Sequence, residues 1–446
     1  MRIYPIYERK IYMKAKIIRL TAAALLTVMM MLSLSSCIVD LEFYSNILDY
    51  LQDKNNGEGD NDGNIGDNNE NDGNNGDNGD TDPIPDVNIT VPTPDESKAE
   101  FIPGSGQGNA DGLDDTTKMM LSAVSVICYY DDSYGMGSGV IYKLDKKSGD
   151  AYIITNYHVV YHDDYGIADN IQLFLYGMQL SSYAIPATFV GGSLTYDIAV
   201  LKVSGSKILK NSYATAATLG ASDSVRMTDP VYVVGNARGE GIAATSGIVS
   251  VESENLALSG ADGSEITLRV MRVDAAVNLG NSGGGAYDEY GRLIGITVAK
   301  NVSTQVDNIG YAIPVDLAVR IADNVIRNCN GTTSTSVLKP LMGVTITSYV
   351  SGLEITPDGK DVYEVNLVEV TDVSLGSLAY VKVRVGDIIK SITIDGNKYE
   401  VYRLHHVTDA MLEAHVGSVV KLEIERGGMT INVNLVVRSQ DVTTVY

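Results

Sequence analysis

Along the chain the apolar positions fall into regimes with different periods. A continuous apolar run covers residues 20–34 behind Lys14, Lys16 and Arg19, and it ends in Leu34-Ser35-Ser36-Cys37. Residues 53–82 are almost wholly Asn, Asp and Gly, with Ile65 as the one aliphatic side chain. Such a stretch cannot bury enough apolar area to offset the entropy of ordering, so it predicts a flexible, disordered linker. Pro83, Pro85, Pro92, Pro94 and Pro103 extend it with stiffer chain, and folded structure is expected to begin near Asp114. From Lys118 the pattern changes to short β-rich runs, among them Val124-Ser125-Val126-Ile127, 151–155, 198–203, 231–234 and 293–298. Gly- and Asx-rich turns separate them, which predicts a barrel or sandwich and not a parallel α/β sheet.

One helix interrupts this pattern. After Tyr311-Ala312-Ile313-Pro314, the residues Val315, Leu317, Ala318, Ile321, Val325 and Ile326 recur at helical spacing, with Pro314 to start the helix and Asn330-Gly331 to stop it. A Gly-Thr-Thr-Ser-Thr-Ser stretch then marks a boundary. Residues 342–437 hold several strand-like runs and one helix expected over 408–415, a small α+β unit within the usual domain range.

Length and charge narrow the function. A chain of 446 residues is too long for one ordinary domain, so two folded units plus non-globular segments are expected. A net charge of −23 with no basic stripe argues against nucleic acid as a partner. Part of that excess is local, because residues 53–82 hold ten acidic side chains against Lys54 alone. Calcium binding is the functional alternative for this stretch, but it lacks a ligand-Gly-ligand register closed by a bidentate Glu.

Three cysteines are too few for a disulfide scaffold, and no pair has Cys-x-x-Cys spacing. The apolar run ending at Cys37 resembles a bacterial lipoprotein signal peptide with its lipobox. That implies cleavage before Cys37, lipid on its sulfur, and a protein held outside the cytoplasmic membrane. Met13 is a second candidate start, and an uncleaved anchor or plain signal peptide is the competing reading. Cys128 and Cys329 sit in apolar or helical sequence and read as buried thiols, with their pairing left open.

Chemistry concentrates in three stretches: Thr155-Asn156-Tyr157-His158-Val159, Tyr196-Asp197-Ile198-Ala199-Val200 and Gly280-Asn281-Ser282-Gly283-Gly284. A serine hydroxyl needs an imidazole to take its proton and a buried carboxylate to orient that imidazole. The order His158, Asp197, Ser282 suits a chymotrypsin-like double β-barrel, whereas subtilisin-type and α/β-hydrolase folds use other orders. His162 follows His158 at the spacing of a shared metal, but no Glu completes a His-Glu-x-x-His pattern, so neither metal nor cofactor is expected.

Asp197-Ile198-Ala199-Val200-Leu201, Gly280-Asn281-Ser282-Gly283-Gly284, Gly310-Tyr311-Ala312-Ile313-Pro314 and Ser246-Gly247-Ile248-Val249-Ser250 together resemble the HtrA (Deg) serine proteases. The resemblance implies that His158 is the general base, Asp197 its partner and Ser282 the nucleophile. It also implies an oxyanion hole from the amides of Gly280 and Ser282. Ala276 stands six residues before the nucleophile, where relatives that cut after Arg or Lys keep an aspartate. With Val277, and with Ile296, Thr297 and Val298 as the facing wall, it implies a pocket for small aliphatic residues. Gly285 stands where family members commonly have Pro or Ala, and is expected to add flexibility beyond the nucleophile. Residues 235–245, with three glycines around Arg238, are the expected mobile loop.

Met342-Gly343-Val344, Gly386-Asp387-Ile388-Ile389 and Val420-Lys421-Leu422-Glu423-Ile424 resemble the PDZ domain that follows the protease in this family. The amides of Met342, Gly343 and Val344 would then cradle a peptide's terminal carboxylate. Tyr380-Val381-Lys382-Val383 replaces the family's usual Ala-Gly-Leu. His405, His406 and His415 flank the expected helix as a hint of pH or metal sensitivity.

The resulting expectation is a mostly β protein. It has a signal peptide at 1–36, a lipid-attachment site and linker at 37–113, a trypsin-like protease domain at 114–330 and a PDZ-like domain at 338–440. Its expected activity is endopeptidic cleavage of misfolded or exported polypeptides in the cell envelope, with C-terminal peptides bound at the PDZ-like domain. The family implies a homotrimer. The rival expectation is a catalytically silent PDZ-containing chaperone or binding lipoprotein.

Overall fold

The computed structural model describes residues 93–99, 110–131, 133–179, 181–299, 309–329, 335–356 and 359–446. The apolar run, Cys37, the acidic linker and Asn330-Gly331 lie outside the described residues. Among the described residues no helix is long and apolar enough to cross a membrane.

Two six-stranded barrels form the body. The first comprises β1 (Ala123–Tyr129), β2 (Tyr134–Asp145), β3 (Asp150–Thr155), a short hairpin of β4 (Tyr161–His162) and β5 (Gly166–Ile167) outside the ladder, then β6 (Asn170–Leu175), β7 (Ile185–Ser193) and β8 (Ile198–Val203). Its order is β7-β6-β1-β2-β3-β8, and β8 pairs back onto β7 to close it. Val124, Val126, Ile141, Ile153, Leu173 and Leu201 fill the interior. The second comprises β9 (Pro230–Gly235), β10 (Ala243–Ser259), β11 (Glu265–Val273), β12 (Gly285–Tyr287), β13 (Leu293–Val298) and β14 (Gly310–Pro314), closed in the order β10-β11-β14-β13-β12-β9.

Short helices α1 (Asp115–Leu121), α2 (Tyr157–Val160) and α3 (Lys207–Asn211) decorate the first barrel. Asp114 caps α1 by accepting from Thr117 N at 2.8 Å, a side-chain oxygen satisfying an otherwise orphan helix amide. Ordered chain nevertheless starts upstream of the expected point, since Glu96 Oε2 accepts from Lys207 N at 2.6 Å. The amphipathic helix α4 (Val315–Asn328) follows Pro314 as expected. Its buried Leu317, Ala318, Ile321 and Val325 join Val140, Ile154, Val200, Val234 and Ile313 in a core shared by both barrels.

The C-terminal unit is an antiparallel sheet of β16 (Val344–Ile355), β17 (Val362–Val373), β18 (Ile388–Ile394), β20 (Val419–Arg426) and β21 (Met429–Val436), in that order, with β19 (Asn397–Glu400) on β18 and one helix, α5 (Leu404–Ala410). The helix lies N-terminal to the expected 408–415. Beyond Asp409 the chain tightens into turns with Leu412 N bonded to Asp409 O (3.0 Å) and Glu413 N to Ala410 O (3.0 Å). The apolar residues that suggested a helix there are buried in those turns.

Strands β15 (Thr335–Pro340) and β22 (Val442–Val445) flank this unit and pair with each other, and β15 continues onto β7. The expected start at 338 therefore falls inside a strand that extends the first barrel's sheet. Residues 341–441 are inserted between two adjacent strands of that sheet.

Candidate active site

Each of the three chemical side chains is held by a local device. The single turn α2 presents His158 directly after β3. Asp197 sits in the turn between β7 and β8 with φ of 51°, a left-handed conformation that a non-glycine residue adopts only when its surroundings hold it there. Ser282 lies in the glycine turn before β12. First-barrel His158 and Asp197 thus face second-barrel Ser282 across the seam.

The geometry is compact. His158 Nδ1 is 2.7 Å from Asp197 Oδ2 and 3.0 Å from Oδ1. The His158 main-chain N–H also donates to Oδ1 at 3.0 Å. His158 Nε2 is 2.9 Å from Ser282 Oγ. Asp197 is 1% exposed and Ser282 5%. A buried carboxylate on Nδ1 fixes the proton there, leaving Nε2 to accept from the serine hydroxyl. Ala299 N–H donates to Ser282 Oγ at 3.1 Å, so the hydroxyl proton is directed at the imidazole.

A second layer keeps the nucleophile turn in register. Ser138 Oγ donates to Gly280 O (2.7 Å) and accepts from Asn236 N (2.7 Å), while Ser138 N donates to Ser282 O (2.7 Å). Thr297 Oγ1 donates to Asn281 O at 2.5 Å and Gly284 O at 3.1 Å. Leu279 O is held by Arg238 N at 2.8 Å. Gly280 has φ of 95°, and among the described residues its N–H and that of Ser282 have no acceptor, which leaves both amides available to a ligand. Ser138 was not singled out from sequence, because a serine inside a strand gives no local sign of a distant partner, and Thr297 was expected in the pocket wall and not behind the nucleophile turn.

Other expected positions fare differently. Ala276 is exposed and its carbonyl accepts from Thr245 Oγ1 at 2.9 Å. Val277 is partly buried, and a Cβ at Gly310 would overlap its Cγ2. Ile296 and Val298, expected to face the pocket, instead belong to the core shared with α4, and the Thr297 hydroxyl is spent behind the nucleophile. Alternation along β13 puts the outer two side chains on the core face.

Gly285 has a packing role: a Cβ there would overlap the ring of fully buried Tyr287, whose hydroxyl meets Ser122 Oγ at 2.9 Å. Within the loop expected to be mobile, Asn236 Oδ1 accepts from Gly241 N at 2.7 Å. Beside Ser282 and His158 opens a cleft of about 340 Å³, lined by Tyr130, Met136, Tyr161, His162, Leu279 and Ala299. His162 forms a three-ring cluster with Tyr130 and Tyr165, with tilted rings and centroids 5.4 and 5.0 Å away, and does not join His158. Cys128 and Cys329 are not bonded to each other; Cys329 Sγ donates to Ile326 O at 3.3 Å, and burial pushes the Cys128 thiol well above its ordinary range.

In the C-terminal unit Gly343 has φ of 72° and is crowded by Ser377. Among the described residues the amides of Met342 and Gly343 have no acceptor. The unit meets the peptidase through Arg403–Glu252 (2.9 Å) and Arg269–Asp409. There Asp223 lies 3.9 Å from His405 Nε2 and 3.7 Å from His406 Nε2. Burial lowers the His405 pKa. Tyr402 N–H donates to His406 Nδ1 at 3.3 Å, so the proton of neutral His406 sits on Nε2 and that nitrogen is not free to ligate a metal.

Two closed barrels with a His-Asp-Ser set at their seam define a trypsin-like serine peptidase domain. A family model described as trypsin-like peptidase domain matches residues 137–296. Over its peptidase region the chain is similar to HtrA-type, Do-like serine proteases. It is 34% identical over 215 residues to "Serine protease Do-like HtrA" of Lactococcus lactis subsp. cremoris (strain MG1363), covering 47% of each chain. The protein of the same name from Bacillus subtilis (strain 168) is 34% identical over 198 residues, 44% of this chain and 40% of that one. The match to the Lactobacillus helveticus protein of that name is 28% over 319 residues and spans 68% of both. The chain spans about half the length of the first curated relatives it matches. Among solved structures, "HtrA-type protease AlgW with tripeptide" aligns at 25% identity and a TM-score of 0.47, over 73% of this chain and 95% of that one.

Proposed function

We propose that the protein is an HtrA-type serine endopeptidase acting on misfolded or exported polypeptides outside the cytoplasmic membrane. The observation that carries this reading is the continuous Asp197–His158–Ser282 relay, with contacts of 2.7 and 2.9 Å. Ser282 Oγ attacks the scissile carbonyl while His158 Nε2 takes its proton, and Asp197 stabilises the imidazolium. The Gly280 and Ser282 amides receive the negative charge that develops on the carbonyl oxygen, where one donor is worth about 3 to 4 kcal/mol. His158 then protonates the leaving amine, and water released against the same base hydrolyses the acyl-enzyme.

Ala276 and Val277 place no charge where the first pocket would lie, which favours cleavage after small aliphatic residues. The Met342-Gly343-Val344 loop, with its available amides beside edge strand β16, supports a PDZ-like groove for apolar C-terminal peptides. The domains are the peptidase and this PDZ-like unit. Lipid on Cys37 would anchor the protein to the membrane, and assembly as a homotrimer belongs to the same reading.

A fluorophosphonate probe tests the core of it. Wild-type protein should label at Ser282 and hydrolyse an unfolded polypeptide, and Ser282→Ala should do neither. No labelling of the wild type, with apolar C-terminal peptide present, would place the protein in the silent binding class.

A further inference from the structure

The turn that carries Asp197 is gripped from outside the barrel. Thr195 donates twice to the main-chain oxygen of Tyr446, from N at 2.8 Å and from Oγ1 at 2.6 Å. Ser193 Oγ donates to the same oxygen at 2.9 Å and accepts from Tyr196 N at 3.4 Å. Next to it, Lys339 Nζ on β15 donates to Tyr196 OH at 2.9 Å and lies 5.6 Å from that ring's centroid. The Tyr446 side chain is 74% exposed, so its backbone makes the grip. From the inner side, Asn156 Nδ2 donates to Asp197 O at 2.9 Å, and Asp197 N closes the turn on Leu194 O at 3.2 Å.

These contacts have one common effect. A left-handed aspartate stores backbone strain of roughly 1 to 2 kcal/mol and would relax if its neighbours let it. Its carboxylate must stay on His158 Nδ1 to keep the imidazole tautomer and to stabilise the imidazolium formed on serine attack. The barrel strands β7 and β8 fix the two ends of the turn, and Ser193 and Thr195 are the residues through which its apex is tied down.

We propose that Ser193 and Thr195, clamped by β22 through Tyr446, are positioning residues for Asp197 in the peptidase reaction. The inference rests on the reading of Ser282 as nucleophile. It assigns a role in the reaction to a strand that lies beyond the C-terminal unit in sequence and joins the first barrel in space.

The test compares full-length wild type with Ser193→Ala/Thr195→Val, with Thr195→Ser, and with a chain ending at Asp441. The readouts are peptide hydrolysis across pH, the rate of fluorophosphonate labelling and thermal unfolding. The double variant should lose roughly tenfold in kcat with KM unchanged. The acid limb of its kcat/KM profile should move to lower pH, because a looser carboxylate stabilises the imidazolium less. Thr195→Ser should restore both, and the shortened chain should show the larger loss. A folded double variant whose kcat per molecule and acid limb match wild type overturns the proposal, even if it melts earlier. Should the shortened chain fail to fold, the side-chain variants decide alone. Failure of the underlying peptidase reading is separately visible, as a wild type that neither labels nor hydrolyses.

Discussion

In the turn that carries Ser282, a Cβ on Gly280 would overlap Asn236 O, one on Gly283 would overlap Ser138 O and Thr155 Oγ1, and one on Gly284 would overlap Val234 O. In the C-terminal unit, Gly376, Gly386, Gly396, Gly417, Gly427 and Gly428 all have positive φ, yet a Cβ on any of them would meet nothing within 4 Å. The two regions use one residue type for different reasons. Around the nucleophile glycine supplies space, so that three backbones can approach closely, with a positive φ at Gly280 and Gly283 besides, whereas in the C-terminal turns it supplies a torsion alone. Mutational sensitivity should therefore differ in kind: loss of chemistry in the first region, and a modest stability cost in the second.

The hardest attempt to break that contrast is Gly283→Ala. The added methyl must push against Ser138 O, whose own amide holds Ser282 O at 2.7 Å, so the nucleophile shifts relative to His158. Displacements of that order cost roughly 100-fold in rate. Initial-rate kinetics on a folded Gly283→Ala protein should show it in kcat, and near-wild-type turnover would mean that the crowding is relieved without cost.

Gly343, like Gly280 and Gly283, has both a positive φ and a crowding neighbour, here Ser377, so in the C-terminal unit it behaves as the nucleophile turn does. Gly343→Ala should tilt the Met342 and Gly343 amides. Binding of an apolar C-terminal peptide should weaken by roughly tenfold, about 1.4 kcal/mol, while fluorophosphonate labelling of Ser282 is kept. Calorimetric titration on the full chain reads this directly, and unchanged affinity would detach this loop from peptide binding.

The same contrast explains what could be read from sequence. His158, Asp197 and Ser282 lie in short stretches whose chemistry and glycine pattern are local, and the structure brings them together. Strands β8 and β13 also begin and end where their apolar runs do, at Ile198–Val203 and Leu293–Val298. Illegible were the features set by distant partners. Nothing near Thr195 announces a bond to Tyr446, and nothing in residues 335–340 or 442–445 announces that they extend the first barrel. Ile296 and Val298 were misplaced because a fully buried strand shows no alternation to say which face looks where. Helix α5 was placed too late because buried Met411, Leu412 and Ala414 continue a helical spacing from Ala410 while lying beyond the helix end.

The smallest expected effect sharpens the contrast most. Gly427 and Gly428 form the two-residue connection between β20 and β21, flanked by the Arg426–Met429 pair, with φ of 57° and 78°. Both values suit a type I′ turn, which matches the right-handed twist of the strands and favours Asn at its first position. Gly427→Ala places an L-residue in the left-handed region at about 1 kcal/mol, partly offset by the lower entropy of the unfolded chain. Gly427→Asn gains the same entropic offset at a smaller torsional cost, and should be neutral or slightly stabilising. Urea unfolding of the two variants should rank Asn at or above wild type and Ala below it, with hydrolysis unchanged in both. Equal losses for Asn and Ala would mean that volume, and not torsion, is limiting at this turn as well, and the distinction between the two regions would fall.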